Sequence, residues 1–213
     1  MSAMISSIDI VIRDPATGSD PVQVSVIVPL ALNEPEPGAL LALLPDSFEA
    51  LIARGGTRAS SMNEAAFRAS GLHLWFVHAD TVMEPGAVNA LLNRLKQPNA
   101  ALHYFDLRFD GGGLMRITEL GVWFRSRILG APFGDQALCL PATMFGTLGR
   151  YDETVAHGED HRLVRQAHRA GLPVRPVDFT VLTSARKYRE LGWLRTTLRH
   201  LWLTVKQRFP ERR

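Results

Sequence analysis

Apolar residues in this chain fall into short unbroken runs, separated by clusters of proline, glycine, asparagine and aspartate. Continuous apolar runs of this length mark strands covered on both faces, whereas spacings of three and four mark helices. The strongest runs are Val22–Leu30, β-branched and ending Val28-Pro29-Leu30, and Leu74-Trp75-Phe76-Val77. The second reads as the central strand, releasing the chain at His78-Ala79-Asp80 before Glu84-Pro85-Gly86 opens a helix.

The same reading predicts an edge strand or loose leader over Ile8–Arg13, then a turn-rich loop over Asp14–Pro21. A short helix follows at Ala39–Leu44. Phe48–Arg54 fits a strand or a helical extension, and Gly55-Gly56 leads into a helix ending near Ala69. Beyond the central strand a helix runs from Pro85 to Lys96, with Leu91, Leu92 and Leu95 turned inward. His103–Asp110 alternates, as a half-buried antiparallel strand would. After Gly111-Gly112-Gly113, Leu114, Ile117, Leu120, Phe124 and Ile128 recur at helical spacing. They predict an inward apolar stripe, with Arg116, Arg125 and Arg127 toward solvent. Strands at Ala137–Leu140 and Val174–Thr183 flank a short helix after Pro141 and a helix from Arg162 to Ala170. A last stripe, Leu191, Leu194, Leu198, Leu201, Trp202, Val205 and Phe209, has Arg195, Arg199 and Lys206 off it.

Strands alternating with helices specify an α/β protein with a mixed, mostly parallel sheet flanked by helices. The expected organisation is a leader over 1–21, one domain over 22–190 and a basic amphipathic helix over 191–213. With 213 residues, 46% hydrophobic and 21% charged, a full core is affordable without staples. The single cysteine, Cys139, lies in an apolar run and reads as a small buried hydrophobe, which excludes a disulfide framework. No run reaches the roughly 20 residues of a membrane span, and Met1–Ser7 lacks the pattern of a secretory signal. The expected location is therefore cytoplasmic, and the C-terminal basic stripe with its tryptophans would let the chain lie at the inner face of a membrane. That stripe equally suits packing on the protein's own body. A net charge of +3 does not point to nucleic acid.

Candidate chemistry gathers where strands end. Asp80 sits at the carboxyl end of the central strand, where metal and phosphate ligands of α/β sheets are found, though an aspartate there also caps helices. Asn33 and Glu34 follow the first strong strand. Gly55-Gly56-Thr57-Arg58 can hold a phosphate, or simply form a turn. Asp135-Gln136, between Gly134 and an apolar strand, suits an acceptor pocket or an ordinary turn. Glu159-Asp160, before Arg162, places two acids at a helix start. The macrodipole favours their charge, and a proton acceptor would be served by it as well as a plain cap would.

Taken in order, Val26-Ile27-Val28-Pro29 with Leu32-Asn33-Glu34, Arg58 with Met62-Asn63, His78-Ala79-Asp80-Thr81, Gly134-Asp135-Gln136, Glu159-Asp160 and Thr183-Ser184-Ala185-Arg186 resemble family 2 glycosyltransferases. The chain looks most like the small bacterial branch labelled as radical-SAM and selenodomain-associated transferases. The resemblance implies a reduced GT-A fold, a nucleotide-sugar donor, a hydroxyl acceptor, a divalent metal (Mg²⁺ or Mn²⁺) and inverting transfer. It makes Asp80 the metal ligand and Asp160 the general base, with Glu159 beside it. Asn33, Glu34, Arg58, Asn63 and His78 fall on the donor side, and Asp135, Gln136 and Arg186 on the acceptor side. One departure stands out. The strand–helix unit carrying the family's Asp-Gly-Gly-Ser-type motif has no evident counterpart after Leu43-Leu44-Pro45-Asp46. A weakly active or inactive relative serving as a binding or partner subunit, or a nucleotidyltransferase-like enzyme, are the other readings. Peripheral membrane contact and a homodimer are the assemblies left open.

Overall fold

The computed structural model describes residues 8–15, 22–155 and 158–185. The C-terminal stripe from Leu191 onward and Arg186 lie outside the described residues.

Among the described residues eight strands form one sheet: β1 (Asp9–Arg13), β2 (Val24–Leu30), β3 (Glu49–Arg54), β4 (His73–Phe76), β5 (Val82–Met83), β6 (Leu102–Phe109), β7 (Cys139–Pro141) and β8 (Val174–Thr183). Their order is β1-β3-β2-β4-β7-β6-β8-β5. β3, β2 and β4 run parallel to one another, as do β6 and β8. β7 is antiparallel to both β4 and β6, which leaves those two strands pointing the same way. β1 and β5 close the two edges in antiparallel fashion. The carboxyl ends of β2, β3, β4, β6 and β8 therefore meet at one side of the sheet, which is where loops of α/β folds carry sites.

Among the described residues six α-helices cover the sheet: α1 (Gly38–Leu41), α2 (Arg58–Arg68), α3 (Ala87–Leu95), α4 (Leu114–Trp123), α5 (Ala142–Thr147) and α6 (Glu159–Arg169). One core layer joins Val26, Val28, Trp75, Phe105 and Leu107 to α1 and α3 through Leu40, Leu41 and Leu91. The other joins Ile27, Leu51, Phe76 and Leu138 to α2, α5 and α6 through Met62, Phe145 and Leu163. Both faces being covered explains why the strands read as continuous apolar runs. Trp75 anchors the middle, stacked on Phe105 at 5.7 Å, with its indole N–H donating to Ala137 O at 3.1 Å. Cys139 is fully buried in the same core layer, as expected of a small hydrophobe.

One open reading closes and two expectations change. Phe48–Arg54 resolves as a strand, because it pairs on both sides. The place beside β2 is thus filled, and the strand there ends in Arg54-Gly55-Gly56-Thr57, with arginine where the resemblance expects an acid. The shortage lies further on, since α2 carries the glycine turn at its start and Met62-Asn63 in its middle. His103–Asp110 is antiparallel only to β7, while its longer pairing, with β8, is parallel.

The other change is α4 and the π-helical turn that continues it (Phe124–Ile128), which are turned over. Its apolar stripe faces outward, while Arg125, expected in solvent, is buried at 9% exposure. The inward side is held by polar contacts: Glu119 accepts the Phe109 N–H at 2.9 Å, and Arg125 donates to Gln136 Oε1 at 3.0 Å. Arg127, half-buried, pairs with Asp106 and Asp178. Periodicity specifies a stripe but not which side of the helix the protein covers. Among the described residues no helix is long and apolar enough to cross a membrane.

Candidate active site

Gly55 and Gly56 leave β3 with φ of 89° and 66°, a left-handed path that glycine takes at low cost. Thr57 then caps α2: its Oγ1 accepts the Ser60 N–H at 3.1 Å, and Ser60 Oγ accepts the Thr57 N–H at 2.9 Å. With its start fixed in this way, α2 throws its first residue, Arg58, across the sheet edge. Arg58 Nη1 donates to Glu159 Oε1 at 3.1 Å and to Asp160 Oδ2 at 3.3 Å. Arg58 Nη2 meets Nε2 of His78, at the end of β4. A guanidinium only donates, so His78 accepts at Nε2 and keeps its own proton on Nδ1. One cation thus joins a strand end to the two acids of the α6 N-terminus.

Both acids are buried, at 6% and 7% exposure, although neither would be so without a partner. Burial pushes the Asp160 carboxyl up to about 6, with Glu159 and Asp135 adding to the rise. Arg58 and a hydrogen bond from the Gly134 backbone pull it back. Gly134 is required by space: a Cβ there would sit 2.3, 2.6 and 2.5 Å from Oδ2, Oδ1 and Cγ of Asp160. Asp160 Oδ1 is buried without a hydrogen-bond partner. It is therefore an acceptor held ready in a dry setting, with a proton affinity near neutrality.

Sequence reasoning assigned no part to Tyr151, which is 2% exposed and whose hydroxyl has no hydrogen-bond partner. Burial first, then the Asp160 charge, drives its phenol well above the usual tyrosine range, so it stays a neutral O–H. Nothing local marked it: Arg58 is remote in sequence, and no motif in the short stretch between Tyr151 and Glu159 ties the phenol to the acids. Asn63 holds it: Asn63 Nδ2 donates to Tyr151 O at 2.9 Å and Oδ1 accepts the Tyr151 N–H at 3.1 Å. Asn63, expected on the donor side, is thus engaged in fixing the Tyr151 backbone.

The remaining residues divide. Asp135 is half-buried at the cluster, where its charge reaches Asp160 and Arg58. Gln136 is fully buried. Its Oε1 accepts from Arg125 and the Phe133 N–H, and its Nε2 donates to Phe105 O and Ser126 Oγ. It shapes the loop from inside, with every hydrogen-bonding position of its amide engaged. Asn33 and Glu34 lie exposed beyond β2. Glu34 accepts the Ala31 N–H at 3.2 Å, and Arg54 donates to Glu34 O at 2.6 Å. Asp80 is exposed, two residues past His78.

Among the described residues no three histidine, cysteine, aspartate or glutamate side chains gather to hold a metal ion. Asp80 fits only the kind of Mg²⁺ or Mn²⁺ site in which one carboxylate and the phosphates of a bound nucleotide share the ion.

No protein-family model and no curated protein matches the sequence. Solved structures do match in fold. S. aureus TarS superposes with a TM-score of 0.60 at 14% identity, covering 78% of this chain and 37% of TarS. TarS residues 1–349 in complex with UDP-GlcNAc gives 0.59 at 13% identity, covering 76% of this chain and 58% of that one. The UDP complex of the same fragment gives 0.59 at 13%, covering 76% and 60%. The chain thus spans little more than a third of TarS and about three-fifths of its 1–349 fragment. The fold is that of a GT-A-like glycosyltransferase core, a mixed curled sheet flanked by helices.

Proposed function

We propose that this chain is a glycosyltransferase that moves a sugar from a nucleoside-diphosphate donor to an acceptor hydroxyl, with inversion. The observation that carries the reading is the buried Glu159-Asp160 pair at the carboxyl edge of a GT-A-like sheet, with Asp160 near neutrality in proton affinity. In this reading Asp160 accepts the proton of the acceptor hydroxyl. The oxygen attacks the anomeric carbon on one face, the bond to the donor diphosphate breaks on the other, and the electron pair leaves on that diphosphate. One base and one attack give inversion. A divalent ion shared between Asp80 and the diphosphate would neutralise charge on the leaving group.

Arg58 has two duties here. At rest it neutralises Glu159 and Asp160, and with donor present its guanidinium turns to a phosphate and releases the base. Asp135 lines the acceptor side, and Tyr151 offers its proton to whichever oxygen enters. Within the family 2 type, the motif order favours the radical-SAM and selenodomain-associated branch.

The base assignment is tested with Asp160→Asn. UDP released from UDP-sugars in the presence of a cell-extract acceptor pool should fall by about 10³-fold or more, while nucleotide binding is kept. Undiminished release would remove Asp160 from the role.

A specific feature favours a second reading. Arg54 closes the strand where the resemblance expects an acid to read the donor, as in a relative that binds a partner rather than a sugar donor. Nucleotide binding by the purified chain separates the two readings.

A further inference from the structure

The outer face of α4 is the largest feature the transferase reading leaves unused. Leu114, Ile117, Leu120, Trp123, Phe124, Ile128 and Leu129, along α4 and the π-helical turn that continues it, are between 43% and 65% exposed. Scattered exposed apolar residues are ordinary, but a continuous stripe of large ones marks a surface that something meets. The stripe cannot turn inward without breaking the contacts of the opposite side, where Glu119 accepts the Phe109 N–H and Arg125 donates to Gln136. Among the described residues nothing covers it.

Four observations identify the kind of partner. First, the spacing is regular. Leu114, Ile117, Gly121, Phe124 and Ile128 stand three, four, three and four residues apart, the repeat of a seam between two helices. Second, the seam is notched at its middle. Gly121 is exposed, and a Cβ there would meet no other part of the chain within 4 Å. Leu120, the most exposed residue of the stripe, is a ridge directly beside that hole. A ridge and a hole side by side are complementary to themselves about a two-fold axis. Third, the charge does not suit a lipid surface. Arg116 is exposed, but Arg125 and Arg127 turn inward to Gln136, Asp106 and Asp178, whereas a helix lying on an anionic membrane keeps its basic residues on the open polar face. Fourth, the area fits. At roughly 200 Å² for a large side chain, the seven half-exposed residues offer about 700 Å² per chain, near the ~800 Å² that each partner of a stable pair buries.

We propose that the outer face of α4 pairs with the same face of a second copy of this chain, the two helices antiparallel about a two-fold axis between Leu120 and Gly121. Leu120 of each copy then enters the notch at Gly121 of the other, and Ile117 faces Phe124 across the axis in both directions. Pairing braces the helix from outside while Arg125 and Ser126 brace the Gln136 loop from inside. Gly134 and Asp135 of that loop sit against Asp160, so the seam stands directly behind the acid cluster.

The test is sedimentation of the full chain without lipid, where the expected mass is twice 23.6 kDa. Leu120→Asp, at a solvent-facing position, and Gly121→Leu, which fills the notch, should each return the monomer mass while keeping the circular dichroism of the parent. The second variant is the sharper one. Its new side chain has room in its own chain and suits a helix better than glycine, so it loosens the pair without loosening the fold. A short bis-maleimide should join Leu120→Cys copy to copy, since the chain's own thiol, Cys139, is fully buried. A parent that sediments at 23.6 kDa would overturn the proposal. So would a dimer that both variants leave intact, which would put the contact on another face. An unreactive introduced thiol in a monomeric chain would overturn it in favour of a helix covered by its own chain. A monomer whose introduced thiol is protected only by anionic phospholipid vesicles would overturn it in favour of a lipid surface.

Discussion

Arg58 stands between an imidazole and two carboxylates, and its charge sets how each behaves. It holds Asp160 below the proton affinity that burial alone would impose. Removing the cation while keeping its apolar stem, as in Arg58→Met, should move the Asp160 carboxyl further up from about 6. The acid limb of the pH dependence of kcat/KM, measured from pH 5 to 9, should then shift to higher pH whatever happens to its height. An unmoved limb would mean that Asp160 is not the titrating base.

The same raised carboxyl carries a stability consequence of definite sign. Asp160 is protonated more readily folded than unfolded, where its ordinary value is 3.8. The stability it contributes is therefore complete below about pH 4 and is lost as pH rises through about 6. Asp160→Asn, which cannot ionise, should be more stable than the parent at pH 8 by on the order of 3 kcal/mol at most and should show little gain at pH 4. Denaturant unfolding at the two pH values reads this directly. An equal effect at both would contradict it.

Elements explain what could be read in advance and what could not. Strands buried on both faces announce themselves, so β2 and β4 were legible from Val24 and Leu74 onward, while β8, half-buried over most of its length, was legible from its β-branched and apolar residues. α4 was legible as a helix but not in its facing. Its apolar period is genuine, yet Glu119, and Arg125 in the π-helical turn after it, find partners inside, and those partners come from β6 and from the loop before β7. The acids Glu159 and Asp160 could be picked out locally, as could Arg58, but the contact between them spans about a hundred residues and no local pattern encodes it. Tyr151 is likewise linked to Arg58 from far along the chain, although the acids follow it closely in sequence.

At the opposite edge from the site, a buried polar knot ties the starts of two strands to the end of α2. Glu49 accepts from the hydroxyls of Ser25 and Ser70 and from the Ser70 N–H at 2.9 Å, while Ser25 Oγ accepts the Gly71 N–H at 2.8 Å. Glu49→Ala leaves these donors buried without a partner and should cost about 3 kcal/mol of folding stability. A loss well under 1 kcal/mol in chemical denaturation would show that water or rearrangement satisfies them.

For the molecule as a whole, the mixed sheet brings Arg58, His78, Glu159 and Asp160 from three distant stretches to a single edge, beside the exposed Asp80. That placement, on a fold shared with TarS, supports the proposed nucleotide donor, and Arg54 at the end of β3 is what makes the proposal worth testing first. The most direct measurement is a thermal-shift panel of UDP, GDP, CDP and dTDP, each with and without Mn²⁺, on the parent chain and on Asp80→Ala. A ligand that binds only the folded state raises the melting temperature by mass action. The transferase account predicts that one nucleotide stabilises the parent in the presence of Mn²⁺ and that Asp80→Ala loses the gain. If none of the four raises the melting temperature, the chain does not hold a nucleotide donor and the account is contradicted.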